Sequence, residues 1–199
     1  MPETLASTAH RKAHQMPPPF AVASAQPLRA RQTTVGLLNL RGNPADAAWV
    51  SAVEAALGTP LALSACTTQE QAGIRTVWAG PDEWLVVAPQ GQETALATRL
   101  RSALAGTHHA VTDVSSGFFL VDLQGPQVRD VLAQGCPMDL HPRAFPAGRA
   151  VGTHFYKVGL SLWLTGEADG FQMLVRRSFI DHFWQLIDHA SAGCGRAGF

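Results

Sequence analysis

Apolar and polar positions along the chain fall into two similar series of elements. Residues 35–40 form a short β-type run that stops at Gly42, and Asn43 followed by Pro44 offers an N-cap and a first-turn proline for a helix. Trp49, Val53, Ala56 and Leu57 recur at the helical period and predict its buried stripe, closed by Gly58 and Pro60. Residues 76–79 and 84–88 are strand-like runs joined by Gly80-Pro81-Asp82-Glu83, the residue types of a tight turn, which predicts a hairpin. Residues 93–105 then place Leu96, Leu100 and Leu104 on one helical face ahead of Gly106.

The order then repeats. Residues 118–123 alternate with Phe119, Val121 and Leu123 on one face, and Gly125-Pro126 opens a helix carrying Val128, Val131 and Leu132. Residues 156–164 and 171–175 predict a second strand pair, joined through a loop at 165–170. In the last helix Ser178 and Asp181 form a cap, and Phe179, Phe183, Leu186 and Ile187 an apolar face. Leu38-Asn39-Leu40-Arg41-Gly42 echoes Val121-Asp122-Leu123-Gln124-Gly125, so the pattern predicts an internal duplication. The expected fold is α+β: two β-α-β-β-α halves with mostly antiparallel sheets, at 35–110 and 111–190. Residues 1–34, rich in proline, alanine, serine and glutamine, predict an extended or partner-ordered arm, and 191–199 a flexible tail.

Composition narrows the function classes. Fifteen basic and fifteen acidic residues balance to zero, which argues against a nucleic-acid groove or an anionic membrane surface. The charged fraction is 15%, against roughly 25% in ordinary soluble proteins. Two readings fit that shortage: a surface covered by a partner, since interface cores are depleted in charge, or an Ala- and Gly-rich composition of genomic origin. Cys66, Cys136 and Cys194 are odd in number and widely spaced, as expected of reduced thiols. The amino terminus has no apolar stretch behind His10, Arg11 and Lys12, so the cytoplasm is the expected compartment.

Candidate chemistry is sparse. No G-x-G-x-x-G follows a strand, and the chain has no P-loop and no G-x-S-x-G elbow. The segment 135–145 packs Cys136, Asp139, His141 and Arg143 closely; a functional reading makes Cys136 a nucleophile helped by His141. The plain structural reading is a rigid connection, with two prolines fixing the path and Asp139 and His141 bonded to local backbone. Asp113 is a candidate acid for an amine or a pterin-like ring, or else a turn residue. Trp84 is a candidate stacking group, or else core. Arg177, beside Arg176, is suited to grip a carboxylate or an acidic patch, or else is solvated.

Taken together, Gly80-Pro81-Asp82-Glu83-Trp84-Leu85, Thr112-Asp113-Val114-Ser115, the G-C-P-x-D-L-H-P-R-x-F segment at 135–145 and Leu174-Val175-Arg176-Arg177-Ser178-Phe179 resemble the sarcosine oxidase gamma subunit family. The resemblance spans residues 35–187. It implies a heterotetramer of alpha, beta, gamma and delta chains that oxidatively demethylates sarcosine to glycine and passes the one-carbon unit to tetrahydrofolate. It further implies FAD, FMN, NAD and zinc held by the other chains, none by this one, with docking chiefly on alpha. The implied fold is similar to the folate-binding aminomethyltransferase fold, so the alternative function is a folate-binding module acting on one-carbon units. The family assigns no catalytic residue to gamma; the seven residues Trp84, Asp113, Cys136, Asp139, His141, Arg143 and Arg177 stand as interface or ligand candidates.

Overall fold

The computed structural model of the chain describes residues 28–165 and 170–194. The first series runs β1 (Arg29–Thr33), β2 (Gly36–Arg41), α1 (Ala47–Leu57), β3 (Thr68–Gln71), β4 (Ile74–Gly80), β5 (Glu83–Ala88) and α2 (Glu93–Ala103). The second runs β6 (Ala110–Asp113), β7 (Phe118–Gln124), α3 (Val128–Ala133), β8 (Ala150–Phe155), β9 (Val158–Leu164), β10 (Gly170–Arg176) and α4 (Ile180–Cys194). Among the described residues the strands form two five-stranded sheets, ordered β3-β4-β5-β2-β6 and β8-β9-β10-β7-β1, with every pairing antiparallel.

Because successive strand residues point to opposite faces, each sheet buries two sets of side chains. Leu38, Leu40, Trp84 and Val86 pack against Trp49 and Val53 of α1 and Leu96 and Leu100 of α2. Val121, Leu123, Phe171 and Met173 pack against Val128 and Val131 of α3 and Phe183 and Ile187 of α4. The opposite faces meet each other: Leu37, Val77 and Val87 of one sheet pack with Ala150, Trp163 and Leu174 of the other. The result is a helix, sheet, sheet, helix stack. Arg75 of β4 reaches into this middle layer, 5.6 Å from the centre of the Trp163 ring, and pairs with Glu70. Burial pulls the Arg75 guanidinium below its ordinary pKa, an effect that the charge and hydrogen bond of Glu70 oppose.

The two sheets are equivalent strand for strand, as the echo between residues 38–42 and 121–125 predicts, but their leading strands are exchanged. β1 precedes β2 in the chain yet pairs with β7, Arg29 opposite Gln124. β6 precedes β7 yet pairs with β2, Leu38 opposite Asp113. The boundary expected at 110/111 therefore moves, since β6 completes the first sheet. The expectation of an arm through residue 34 is likewise corrected for Arg29–Thr33: alternation turns Leu28, Ala30 and Gln32 towards the core of the second sheet, where Trp184 Nε1 donates to Gln32 Oε1 at 2.6 Å. Residues 1–27 of that arm lie outside the described residues.

Other expectations shift more locally. The cap of α1 is Asp46, whose Oδ1 accepts from Ala48 N at 2.9 Å and Trp49 N at 3.2 Å, instead of Asn43. Gly58 closes that helix at φ 71°, where a side chain would be strained. β3 and β8, both absent from the predicted order, supply an edge to each sheet. Phe179 belongs to a 3-10 turn before α4 and is 45% exposed, while Ile180 takes its expected place in the core. Residues 191–194 of the expected tail continue α4: Ser191 Oγ donates to Ile187 O, and Gln134 Nε2 donates to Ala190 O. Residues 195–199 lie outside the described residues.

Candidate functional site

The segment at 135–145 is a pinned connection between α3 and β8. Cys136 N donates to Leu132 O at 2.8 Å as α3 ends, and Tyr156 N donates to Gly135 O at 2.7 Å. Gly135 must be glycine, because a Cβ there would lie 2.5 Å from the Tyr156 ring and 2.9 Å from that of Phe155. Leu140 and Phe145 anchor the segment in the core. The Arg129 guanidinium lies 5.0 Å from the centre of the Phe171 ring and donates to Leu140 O.

Within this segment the polar groups serve the backbone. Asp139 Oδ1 accepts from His141 N at 2.9 Å, His141 Nδ1 accepts from Arg143 N at 3.2 Å, and His141 O accepts from Ala144 N and Phe145 N. The Cys136 thiol is buried against Thr153, with Sγ 3.7 Å from Oγ1. No hydrogen bond joins it to His141, so the arrangement lacks the base that a thiol nucleophile needs. In the native chain Cys136 is therefore expected to react with iodoacetamide more slowly than the partly exposed Cys66 and Cys194, and to catch up in urea. Peptide mass spectrometry after timed alkylation measures this; fast stoichiometric labelling of Cys136 at neutral pH would restore the nucleophile reading.

The remaining candidates are dispersed. Asp113 ends β6, and its Oδ1 accepts from both Ser115 N at 2.9 Å and Ser115 Oγ at 2.5 Å. That hydroxyl in turn accepts from Leu37 N at 2.8 Å, so the acid stitches the β6–β7 turn onto β2. Trp84 is fully buried, 5.6 Å from the Trp49 ring, and its Nε1 donates to Ala62 O. Arg177 is exposed; its Nε donates to Ser116 O at 2.7 Å and its guanidinium lies 4.2 Å from the centre of the Phe119 ring. Arg176 makes the matching stack on Phe118 at 5.3 Å. Asp139, His141 and Arg143 present exposed side chains, away from the core that holds Cys136.

Two concavities complete the picture. One, of about 750 Å³, is lined by Arg41, Asp82, His108 and His109, with Arg41 paired to Asp82 at 2.8 Å. His109 Nδ1 lies 3.0 Å from Thr107 O. Among the described residues no three His, Cys, Asp or Glu side chains converge as metal ligands. The other, of about 540 Å³, opens between the sheets and is lined by Asn39, Glu83 and Thr112 on one side and by Phe118, Ser161 and Arg176 on the other. Sequence reasoning missed this second cleft because its walls come from both halves. The available signal was Asn39, a polar residue inside the apolar run Leu37-Leu38-Asn39-Leu40.

Comparison with known proteins places this geometry. The model of the family described as "Sarcosine oxidase, gamma subunit family" matches residues 41–193. The sarcosine oxidase subunit gamma of an Arthrobacter species is 39% identical over 159 residues, 78% of this chain and 74% of that one. Its counterpart in Corynebacterium sp. (strain P-1) is 37% identical over 161 residues, 80% of this chain and 76% of that one. A chain of the solved heterotetrameric sarcosine oxidase from Corynebacterium sp. U-96, in complex with pyrrole 2-carboxylate, superposes with a TM-score of 0.79 at 31% identity, covering 86% of this chain and 87% of its own. The glycine cleavage system aminomethyltransferase T from Bartonella henselae shares the fold, with a TM-score of 0.58 at 18% identity over 79% of this chain and 45% of its own.

Proposed function

The chain belongs to the sarcosine oxidase gamma subunit family, and on that premise we propose that it is the non-catalytic gamma subunit of a heterotetrameric sarcosine oxidase. The observation that carries this reading is the likeness to a chain of a solved heterotetrameric sarcosine oxidase over 86% of the sequence. Site geometry supports it from the other side, since Cys136, Asp113 and His141 are each engaged in local structure. In this reading the complex oxidatively demethylates sarcosine to glycine in the cytoplasm, and this chain stabilises it by docking on alpha, with beta and delta completing the assembly. FAD, FMN, NAD and zinc reside in the other chains. Asp139, His141, Arg143 and Arg177, all exposed, are the side chains offered to partners; Asp113, exposed but tied to Ser115, contributes chiefly through the turn it fixes.

The test is co-purification. With this chain tagged and expressed beside alpha, beta and delta, a yellow complex that oxidises sarcosine is expected to elute. Leaving this chain out is expected to lower the yield of assembled complex. A stable, colourless monomer that ignores all three partners would overturn the proposal.

A further inference from the structure

We infer that the cleft between the two sheets binds a free α-amino acid with an apolar side chain. Its walls carry opposite charges that do not close on each other. On one wall Glu83 Oε1 accepts from Asn39 Nδ2 at 2.6 Å, and Oε2 has no donor among the described residues. Arg41, directly across the strand pair from Glu83, is committed to Asp82. On the other wall the Arg176 guanidinium is held by its stack on Phe118 and makes neither an ion pair nor a hydrogen bond among the described residues.

A molecule carrying both an ammonium and a carboxylate satisfies both walls at once. Glu83 takes the ammonium. The planar guanidinium of Arg176, orientated by the ring beneath it, takes the carboxylate through its fork of donors. The hydroxyls of Thr112 and Ser161, one on each wall, are further polar partners. Leu85 and Val114, partly buried on the face between the sheets, provide an apolar surface for an aliphatic side chain. The volume of about 540 Å³ falls among small-molecule clefts, and the site lies where the duplicated halves meet. Nothing in this inference depends on docking to alpha.

The experiment titrates the full chain with L-leucine by calorimetry, beside two analogues that each lack one charge, isoamylamine and 4-methylpentanoate. L-leucine is expected to bind saturably with a Kd of about 1 mM or tighter, and each analogue at least about tenfold more weakly. Glu83→Gln, which keeps the acceptor for Asn39, and Arg176→Gln are each expected to weaken L-leucine at least about tenfold with circular dichroism unchanged. If the chain is soluble only within its complex, the titration is run there, and the difference between wild type and variants isolates this cleft from sites on other chains. Absence of saturation at about 50 mM, equal binding of either analogue, or affinity unchanged in both variants would overturn the inference.

Discussion

Replacing Trp84 with alanine is expected to lower the free energy of unfolding by about 3–5 kcal/mol, measured by urea denaturation followed by circular dichroism. The side chain is fully buried in the layer between the first sheet and its helices, against Trp49. Its loss removes apolar contact and opens a cavity that two rigid helices cannot collapse into. It also removes the donor to Ala62 O at 2.7 Å. That carbonyl belongs to a tightly held loop, because Ala62 N donates to Thr76 Oγ1 at 3.1 Å and the same hydroxyl donates to Pro60 O at 2.9 Å. Trp84→Phe separates the two contributions: most of the ring remains, the carbonyl is left without its donor, and the expected loss is about 1–3 kcal/mol. A loss below about 1 kcal/mol for Trp84→Ala would return Trp84 to the ligand-stacking role that the sequence allows.

Removal of residues 1–34 is expected to lower the melting temperature by about 6–12 °C, whereas removal of residues 1–27 leaves every pairing described above in place. The difference between the two truncations isolates β1. Burial of Leu28 contributes about 1.5–3 kcal/mol, and the bond from Trp184 Nε1 to Gln32 Oε1 about 1 kcal/mol. A total of about 3 kcal/mol corresponds to the stated shift at about 2–4 °C per kcal/mol for a chain of this size. The longer truncation also uncovers the β7 edge from Leu120 to Gln124, which now offers unpaired backbone to other chains, so concentration-dependent aggregation accompanies the loss. Differential scanning calorimetry and light scattering read both effects. Equal melting temperatures for the two truncations would show that β1 contributes nothing.

The regular elements were legible where periodicity was strong. Trp49, Val53, Ala56 and Leu57 mark α1 in the sequence, and all four are buried. Phe119, Val121 and Leu123 mark β7 in the same way. What stayed illegible was pairing. β3 reads Thr68-Gln69-Glu70-Gln71, with three of four residues exposed, so no hydrophobic alternation announces it. β1 carries Arg29, Arg31 and Gln32, polar residues that the sheet tolerates because the strand lies at an edge. The structural reading of Asp139 and His141 was legible, since short polar side chains between prolines bond their own backbone. The cleft was not, because Glu83 and Arg176 are brought to one place only by the packing of sheet on sheet.

The exchange of leading strands sets an order of events during synthesis. Once Asp113 has been made, all five strands of the first sheet exist, and that sheet can close with β6 in place. β1, although it comes first among the described strands, has no partner until Gln124 has followed. A nascent chain paused between these points carries a finished sheet with Leu37, Val77 and Val87 uncovered and a dangling strand beside it. Such exposed apolar surface and an unpaired strand favour aggregation. Pairings so distant in sequence also place the molecule among slow folders. Neither half has a complete set of strands to call its own, so synthesis of the second half, rather than completion of the first, is the point at which native structure can be reached.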